Sequence, residues 1–357
     1  MAAPLSIVDL DLVLAQTREL WEEMRGQRVF ITGGTGFFGC WLVESFCHVN
    51  RALGLGARAT VLTRDPAKFA AKCPHLASNP AITLHAGDVR SFEFPAGEFR
   101  YVIHAATEAS ARQAVEEPLE MLSTILDGTE RTLKFAAQCG ARKFLLTSSG
   151  AVYGRQPAEL THVPESYAGA PDPLNAASVY AEGKRTSELM CAMHQKAAEA
   201  KGVDFEAKIA RCWAFCGPHL PLAAHFAIGN FIGDVLAGRP ISIASDGTPR
   251  RSYLYAADLA TWLWTILFRA PALVAINVGS ARDVSIRELA ETVAATLAPA
   301  TEVRVAKQAV PGAAVARYVP SLARAEELLG LRQTVGLEDA IRRTAVWHGY
   351  GVERSPV

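Results

Sequence analysis

Short apolar runs recur along this chain and are separated by longer segments whose apolar residues follow a helical period. The apolar runs predict buried strands, at 28–32, 58–63, 82–86, 100–104, 143–148 and 206–210. The intervening segments predict helices, at 37–50, 66–72, 118–139 and 176–201. This alternation predicts an α/β fold, a doubly wound parallel sheet of the Rossmann type. In such a sheet the carboxyl ends of the strands share one edge, and ligands bind there.

The same pattern divides the chain into parts of different character. An amphipathic helix over 5–25 precedes the first strand, and we expect it to pack on the domain or on a partner. Beyond residue 211, frequent Pro and Gly indicate a smaller substrate-binding lobe, from which a strand at 274–278 returns to the sheet. The expected parts are an N-terminal helical extension (1–26), a dinucleotide-binding Rossmann domain (27–211), the C-terminal substrate-binding lobe (212–349) and a tail (350–357).

Composition and charge argue against several classes of function. The 357 residues include 36 Lys and Arg and 36 Asp and Glu, so no basic surface favours nucleic acid. No apolar run approaches membrane-spanning length and no signal peptide is visible, so we expect a cytoplasmic protein without a membrane partner. The seven cysteines follow no metal-binding spacing, and we therefore predict reduced thiols and no metal site.

The first strand runs into a glycine-rich turn that opens the first helix of the sheet domain. Gly33, Gly36 and Gly39 are three apart in this turn. One glycine permits the tight turn, one lets backbone amides approach a pyrophosphate, and one lets the helix pack on the strand. The helix N-terminus, with Phe37 and Phe38, presents free N–H groups to the phosphates. The turn therefore predicts a dinucleotide-binding site.

The end of the second strand bears on the choice of cofactor. Where NAD is preferred, an acidic residue usually closes this strand and accepts hydrogen bonds from the ribose 2′-hydroxyl. Here Thr63 and Arg64 occupy the turn, and an Arg suits the 2′-phosphate of NADP. We expect NADP in preference to NAD, with Asp65 as the ribose contact if Arg64 is only solvated. Asp88, after the third strand, is a candidate adenine contact or a turn cap. Further predicted cofactor contacts are Val89, Ala105 and Ala106.

A second set of residues points to proton transfer. Tyr180 and Lys184 are four apart on one face of a predicted helix, and Ser149 stands at the end of a strand. A phenol has a pKa of about 10, and a nearby ammonium favours its ionised form, so Tyr180 can serve as base or acid. Ser149 can hydrogen-bond the same substrate oxygen, and Tyr180 and Lys184 are also expected to contact the cofactor. The set predicts nicotinamide-dependent redox chemistry on an alcohol or ketone.

Together these motifs resemble the extended short-chain dehydrogenase/reductase family, in its nucleotide-sugar epimerase/dehydratase branch, from about residue 27 to 345. The resemblance implies that Ser149, Tyr180 and Lys184 are the catalytic trio. It also implies a homodimer formed through the helices at 118–139 and 176–201. The motifs that carry it are the glycine turn, His104-Ala-Ala106, Ser148-Ser-Gly-Ala-Val-Tyr-Gly154, Tyr180-x-x-x-Lys184, Arg211 with Gly217-Pro218, and Asp246 to Tyr255.

The resemblance also implies a nucleotide-sugar substrate and residues that contact it. In the segment that ends at Tyr255, Arg251 matches the residue that grips the diphosphate, with Arg250 as the alternative. Asn230 lies in the stretch that matches the helix approaching the nucleotide base. Ala214 departs from the pattern, because it replaces an Asn that usually contacts the substrate.

A second departure narrows the reaction. Sugar 4,6-dehydratases of this branch carry Asp-Glu before Val-Tyr-Gly and decarboxylating relatives keep the Glu, whereas here Gly150 and Ala151 stand in those places. The stretch from Tyr180 to Arg185 nonetheless looks closest to uronate decarboxylases. We weigh the missing carboxylates more heavily and expect a C4 epimerase or 4-ketoreductase.

Two alternatives stay open. One is a 4,6-dehydratase or uronate decarboxylase that takes a carboxylate from elsewhere, with Glu108 and Glu165 as candidates. The other is a non-catalytic dinucleotide-binding protein that acts through protein contacts. The intact set of Ser149, Tyr180 and Lys184 argues against this last class, because an idle site has no physical need for it.

Overall fold

The computed structural model describes residues 2–107, 111–224 and 226–351, with the backbone alone described for 111–113. The helices are, in chain order, α1 (Ile7–Thr17), α2 (Phe37–Leu53), α3 (Pro66–Lys72), α4 (Pro74–Ala77), α5 (Ala111–Glu116), α6 (Pro118–Gln138), α7 (Val179–Glu199), α8 (Ala227–Leu236), α9 (Ala256–Arg269), α10 (Ile286–Leu297), α11 (Ala323–Leu329) and α12 (Leu337–Trp347). Within these described ranges no helix has the length and apolar character needed to cross a bilayer.

The strands include the seven runs that the sequence pattern predicts, together with short strands that it does not predict. In chain order they are β1 (Arg28–Thr32), β2 (Arg58–Thr63), β3 (Ile82–Ala86), β4 (Tyr101–His104), β5 (Lys143–Ser149), β6 (Glu206–Cys212), β7 (Phe215–Cys216), β8 (Ile241–Ile243), β9 (Arg250–Ser252), β10 (Leu254–Tyr255), β11 (Ala275–Val278), β12 (Asp283–Ser285), β13 (Val303–Val305) and β14 (Arg317–Tyr318). Short 3₁₀ turns cover Arg18–Met24, Gly150–Tyr153 and Ala176–Ser178.

Seven parallel strands form the central sheet, in the order β11-β6-β5-β4-β1-β2-β3. Each neighbouring pair runs parallel, as crossover connections require. The strand order reverses beside β1, because the chain passes from β3 at one edge to β4 on the other side of β1. The carboxyl ends of β1 and β4 therefore open a crevice at the topological switch point. The prediction of a doubly wound parallel sheet is confirmed.

Helices cover both faces of this sheet, and β1 shows how. Val29 and Ile31 pack on one face in a cluster that includes Trp41 of α2, while Phe30 packs on the other face with Phe135 of α6. All five side chains are fully buried. A sheet buried on both faces needs nearly continuous apolar strands, which is why the strand runs stand out in the sequence.

Local sequence fixes several helix ends near the sheet edge. α2 begins after Gly36 and ends at Gly54, whose φ of 57° is the left-handed cap that glycine favours. The carboxylate of Asp65 caps α3 by accepting a hydrogen bond from the Lys68 amide at 2.8 Å. α7 begins later than predicted, because a 3₁₀ turn capped by Asn175 replaces its first turn.

The N-terminal segment is part of the core. The helix predicted over 5–25 is α1 followed by a 3₁₀ turn, and α1 packs on α9 and α2. Trp21 is fully buried. Asp9 is also buried, where it accepts a hydrogen bond from the Tyr255 hydroxyl at 2.8 Å and pairs with Arg343 at 2.6 Å. The segment therefore has a packing role on this domain.

The C-terminal part adds small sheets beside the main one. β9 pairs antiparallel with β12 and parallel with β14, which places Arg251 next to Tyr318 in register. β8 pairs with β13, and β7 with β10. β11 pairs with β6 and so extends the main sheet. The division of the chain at 26, 211 and 349 stays a prediction, and the tail from 352 lies outside the described residues.

Candidate active site

A cleft of about 630 Å³ opens at the carboxyl edge of the sheet, beneath the chain that follows β6. Ser149 and Tyr180 line it, and Lys184 lies directly below, bonded to the carbonyl oxygen of Thr147. The predicted cofactor residues on its wall are Gly33, Gly36, Phe37, Phe38, Thr63, Arg64, Asp88, Val89, Ala105 and Ala106. Two sets of residues that are far apart in sequence therefore meet in one cleft.

The glycine turn has room for a pyrophosphate only because it lacks side chains. Gly33 has a φ of 70°, and a Cβ there would lie 2.5 Å from the backbone of Ala105. A Cβ at Gly39 would strike the carbonyl oxygen of Gly33, so this glycine lets α2 pack on the turn. The turn at Gly36 faces the cleft, and the N-terminus of α2 follows it. These residues fit a dinucleotide, whose phosphates would meet free backbone N–H groups.

A buried histidine ties the ends of β1 and β4 together beneath the turn. The Nδ1 atom of His104 lies 2.8 Å from the Thr32 hydroxyl oxygen, which also accepts a hydrogen bond from the Ala106 amide at 3.1 Å. Burial lowers the pKa of His104 to about 3, so its ring stays neutral. His104 therefore positions Ala105 and Ala106 against the cofactor turn.

The far end of the cleft carries Arg64 on its wall. Arg64 is exposed at the cleft wall and forms no hydrogen bond or ion pair with any residue that the structure describes. Asp88 accepts two hydrogen bonds from the Arg90 side chain, at 2.8 and 3.0 Å, and one from the Arg90 amide at 2.9 Å. These bonds lower the pKa of that carboxyl. Arg90 also pairs with Glu120 at 2.5 Å. Sequence reasoning missed Arg90 and Glu120, since an Arg two residues after an acid is common in any loop.

The catalytic candidates occupy the middle of the cleft. Ser149 ends β5, and its hydroxyl oxygen accepts a hydrogen bond from the Ala151 amide at 3.1 Å. A hydrogen bond with Ser149 favours ionisation of the Tyr180 phenol, but burial opposes it more strongly and raises the pKa of Tyr180 to about 12. The structure brings these two hydroxyls together as the sequence predicts.

The influence of Lys184 differs from the sequence-based expectation. Its ammonium nitrogen donates to the Thr147 carbonyl at 2.9 Å and lies 5.9 Å from the centre of the Tyr180 ring. Burial lowers the pKa of Lys184 to about 8. Desolvation therefore outweighs the charge that was expected to favour a phenolate, and the protein alone holds Tyr180 as a neutral phenol. That is the form that donates a proton.

The burial of Lys184 predicts a pH dependence of folding stability. Its pKa falls from 10.5 to about 8 on folding, so the unfolded chain binds more protons between these values and stability rises with pH across that interval. We expect Lys184→Met to be more stable than the wild type at pH 7, by up to about 3 kcal/mol, with the difference shrinking towards pH 10.5. Urea unfolding of both proteins checks this, because other titrating groups cancel in the difference. Parallel stability curves would contradict it.

An ion-pair network supports the trio from below. Glu188 accepts a hydrogen bond from the Ser148 hydroxyl at 2.5 Å and two from Arg211, at 3.0 and 2.7 Å. The Arg211 guanidinium stacks over the Tyr153 ring at 4.7 Å. Sequence reasoning missed Glu188, although its place one helical turn after Lys184 was a signal that could have found it.

Two aromatic side chains close the wall beside Ser149. A Cβ at Gly150 would lie 2.6 Å from the Trp213 ring and 2.8 Å from the Tyr318 hydroxyl oxygen. Trp213 is fixed in place, because its Nε1–H donates to the Asn277 side chain at 3.1 Å. Burial raises the pKa of Tyr318, and a hydrogen bond with Ser149 partly offsets this rise. Tyr318 was not predicted, because it comes from the far end of the sequence.

The predicted substrate residues lie beyond this wall. Arg250 is engaged with Asp283 and Glu288, whereas Arg251 stands 5.9 Å from the centre of the Tyr318 ring. Arg251 is therefore the freer of the two candidates. Asn230 is half-buried on α8 and is not among the described residues that line the cleft.

Of the two carboxylates proposed as substitutes, Glu165 is described, and it is not among the described residues that line the cleft. Glu165 is buried at β11, where it accepts a hydrogen bond from the Asn277 amide at 2.8 Å. Glu108 lies outside the described residues. The carboxylates on the described cleft wall are Asp88 and Glu120, both paired with Arg90 at the far end.

Comparison with known families agrees with this geometry. The sequence profile of the NAD dependent epimerase/dehydratase family matches residues 29–279. This chain belongs to that family, so its resemblance to nucleotide-sugar enzymes of the short-chain dehydrogenase type is confirmed. The family depends on NAD, which suits the glycine turn and the cleft described above.

Individual relatives catalyse different reactions. UDP-glucuronic acid decarboxylases 6 and 5 of Arabidopsis thaliana are each 30% identical over 318 residues, which cover 88% of this chain and 86% and 87% of those proteins. The structure of TunA, an NAD-dependent NDP-hexosamine 5,6-dehydratase of tunicamycin biosynthesis, is 26% identical, with a TM-score of 0.73 over 90% of this chain and 97% of that one. A UDP-glucose 4-epimerase of Thermotoga maritima shares the fold at 20% identity, with a TM-score of 0.73 over 90% and 98%. Similarity to these relatives therefore does not fix the reaction of this chain.

Proposed function

We propose that this protein changes the oxidation state of C4 in a nucleotide-linked hexose, as a 4-epimerase or a 4-ketoreductase, without breaking bonds at C5 or C6. The observation that carries the proposal is the packing at Gly150, where Trp213 and Tyr318 leave no room for a carboxylate side chain. The hydroxyls of Ser149 and Tyr180 lie together in the cleft, next to the place where the family fold holds its dinucleotide. The substrate class is taken from the named relatives.

Each residue of the proposed site has a separate role. When bound, the nicotinamide ring accepts or returns a hydride at C4 of the sugar. Tyr180 gives a proton to the C4 oxygen, or removes one, and Ser149 holds that oxygen by a hydrogen bond. Lys184 fixes the strand end through Thr147 and places a positive charge below the phenol when it is protonated. Arg251, the freer arginine at the lobe, is proposed to bind the diphosphate of the substrate.

The wall at Gly150 argues against elimination. A family dehydratase uses an acid–base pair of carboxylates beside the catalytic serine, at the positions of Gly150 and Ala151 here. A side chain at Gly150 would overlap the indole of Trp213 and the hydroxyl of Tyr318. Because Trp213 is itself hydrogen-bonded in place, the wall cannot yield easily. Proton removal from C5 therefore has no carboxylate among the described residues at this end of the cleft.

Decarboxylation of a nucleotide-linked uronate is the second candidate, and the relatives favour it. Oxidation at C4 of such a sugar makes a β-keto acid, which loses carbon dioxide without a strong base. Ser149 and Tyr180 would suffice for the redox step. Ala151, in place of the Glu that decarboxylating relatives keep, is the feature that places this candidate second.

A substrate panel separates the two candidates. Purified protein would be incubated with UDP- and dTDP-linked hexoses, with UDP-glucuronate, and with 4-keto sugar nucleotides plus NADH or NADPH. We expect an isomerised hexose or a reduced 4-keto sugar, and unchanged UDP-glucuronate. If UDP-glucuronate were the one substrate consumed, with release of carbon dioxide, the protein would be a decarboxylase. Turnover of none of them would favour the non-catalytic alternative.

Arg64 is proposed to favour NADP at the ribose end of the cleft. Replacing Arg64 with Ser removes a charged hydrogen-bond donor, which typically contributes about 1.5–3 kcal/mol, or roughly 10- to 100-fold in affinity. We expect Arg64→Ser to weaken NADPH binding by that factor and to leave NADH binding nearly unchanged. Arg58→Ser, at the opposite end of β2, removes the same charge and is the control. Equal losses of affinity for NADPH and NADH would show that Arg64 does not distinguish a 2′-phosphate from a 2′-hydroxyl.

The homodimer also stands as a proposal. On α6 and α7, Leu119 is 80% exposed, Leu189 is 59% exposed and Met193 is 61% exposed, an apolar surface that a second copy would cover. We expect the mass of a dimer by light scattering. The double change Leu189→Glu with Met193→Glu should give a folded monomer, while Leu328→Glu on α11 should not. A wild-type monomer would contradict this arrangement.

A further inference from the structure

A buried cluster of metal-ligand side chains lies behind the glycine turn, outside the cleft. It contains Cys40 in α2, Cys73 between α3 and α4, and His219 in the loop after β7. The two sulfur atoms and a ring nitrogen of His219 all lie within 4.8 Å of one another. Cys40 and Cys73 are fully buried, and so is the side chain of His219.

A buried carboxylate holds one ring nitrogen of the histidine. Its Nε2 atom lies 3.2 Å from Oε1 of Glu44, a carboxylate that is itself buried and accepts a hydrogen bond from the Leu5 amide at 2.7 Å. The Nδ1 atom is buried and has no hydrogen-bond partner among the described residues. A carboxylate that fixes one ring nitrogen while the other is free for a metal is the usual arrangement at zinc sites.

The backbone of His219 supports the same interpretation. Its φ is 69°, in the left-handed region that a non-glycine residue rarely adopts. Such strain persists where the surrounding structure requires the side chain at one place, and it concentrates at functional sites. The neighbouring loop is held as well, since Trp41 Nε1–H donates to the Pro218 carbonyl at 2.9 Å.

We propose that Cys40, Cys73 and His219 bind a zinc ion, with Glu44 as the carboxylate that orients the histidine. Two thiolates and an imidazole are a ligand set that zinc prefers. Ligand atoms around a tetrahedral zinc lie about 3.5–3.8 Å apart, so small side-chain rotations close the observed spacing.

Such an ion would join three parts of the chain that frame the cofactor cleft. Cys40 directly follows Gly39 of the cofactor turn, and the loop of His219 continues into Leu220 and Pro221, which line the cleft. The zinc would therefore hold the turn against the lobe. This role is independent of which reaction the cleft catalyses. The spacing of the cysteines did not reveal this site, because its ligands come from segments that are far apart in sequence.

Metal binding by the full-length protein tests the proposal. Reduced, chelator-treated protein would be titrated with zinc against a chromophoric chelator, and with cobalt. We expect one zinc per chain and a cobalt spectrum with thiolate charge-transfer absorption. Glu44→Gln should weaken zinc binding by about 10- to 100-fold, and Cys73→Ser and His219→Ala by at least that much. Cys47→Ser, farther along α2, should bind zinc like the wild type.

Several results would overturn the proposal. These are sub-stoichiometric zinc, a cobalt spectrum without thiolate absorption, zinc affinity unchanged by Cys73→Ser, or a Cys40–Cys73 disulfide that persists in reductant. The cobalt spectrum is recorded on the wild-type protein, so the test does not depend on whether any variant folds.

Discussion

Tyr180→Phe is expected to reduce turnover by about 10²- to 10⁴-fold, the usual contribution of a positioned acid or base. The change removes one hydroxyl from the cleft, the one that shares a hydrogen bond with Ser149. Because the phenol is already neutral in the protein, the variant should fold normally and keep its dinucleotide affinity. Steady-state kinetics with the substrate found in the panel, together with dinucleotide titration, measure both quantities.

A matched control uses another tyrosine. Tyr167 is half-buried outside the described cleft wall, where its ring packs against Tyr153. Tyr167→Phe keeps that ring and removes only the hydroxyl, so turnover should stay within about twofold of wild type. A Tyr180→Phe enzyme that keeps wild-type turnover would contradict the proposed role of the phenol. Lost turnover with lost dinucleotide binding would instead show that Tyr180 mainly holds the cofactor.

Gly33→Ala is expected to weaken dinucleotide binding by roughly 10- to 100-fold for each charged hydrogen bond that the displaced amides no longer make, at about 1.5–3 kcal/mol each. The new methyl group would lie 2.5 Å from the Ala105 backbone, and φ at this position is 70°. The turn must move, and with it the amides that face the phosphates. Isothermal titration with NAD and NADP measures the loss.

A control variant separates the effect of a strained left-handed backbone from the effect of displacing the phosphate-binding turn. Gly202 has a φ of 66° and open space around the position that a Cβ would take, with no atom within 4 Å, and it lies at the opposite edge of the sheet after α7. Gly202→Ala should therefore lose about 1 kcal/mol of stability and bind dinucleotide normally. Equal dinucleotide affinities of the two variants would contradict the proposal that the turn at Gly33 binds the phosphates.

The sheet and the cofactor turn could be predicted from sequence because their signals are local. Each strand is an apolar run bounded by polar residues. Gly33 and Gly36 stand between β1 and α2, and Gly39 lies in the first turn of α2. The helix carrying Tyr180 was also placed correctly, apart from its first turn. In each case a few adjacent residues fix the backbone, so no tertiary contact has to be known.

The walls of the site could not be predicted in this way. Trp213 and Tyr318 meet Gly150 across 63 and 168 positions of sequence, and nothing near Gly150 indicates that these rings fill the space beside it. The raised pKa of Tyr180 likewise follows from burial by several elements at once. Spacing arguments miss such features because they require the packed structure.

The central claim is redox chemistry at C4 without bond breaking at C5 or C6, and solvent deuterium tests it most directly. Elimination and decarboxylation both return a solvent proton to the sugar, whereas epimerisation and ketone reduction leave the C5 hydrogen in place. The protein would be incubated with the nucleotide sugars in heavy water, and the products analysed by mass spectrometry and proton NMR. We predict a product altered at C4 with no deuterium at C5. Deuterium at C5, together with loss of water or carbon dioxide, would contradict the account.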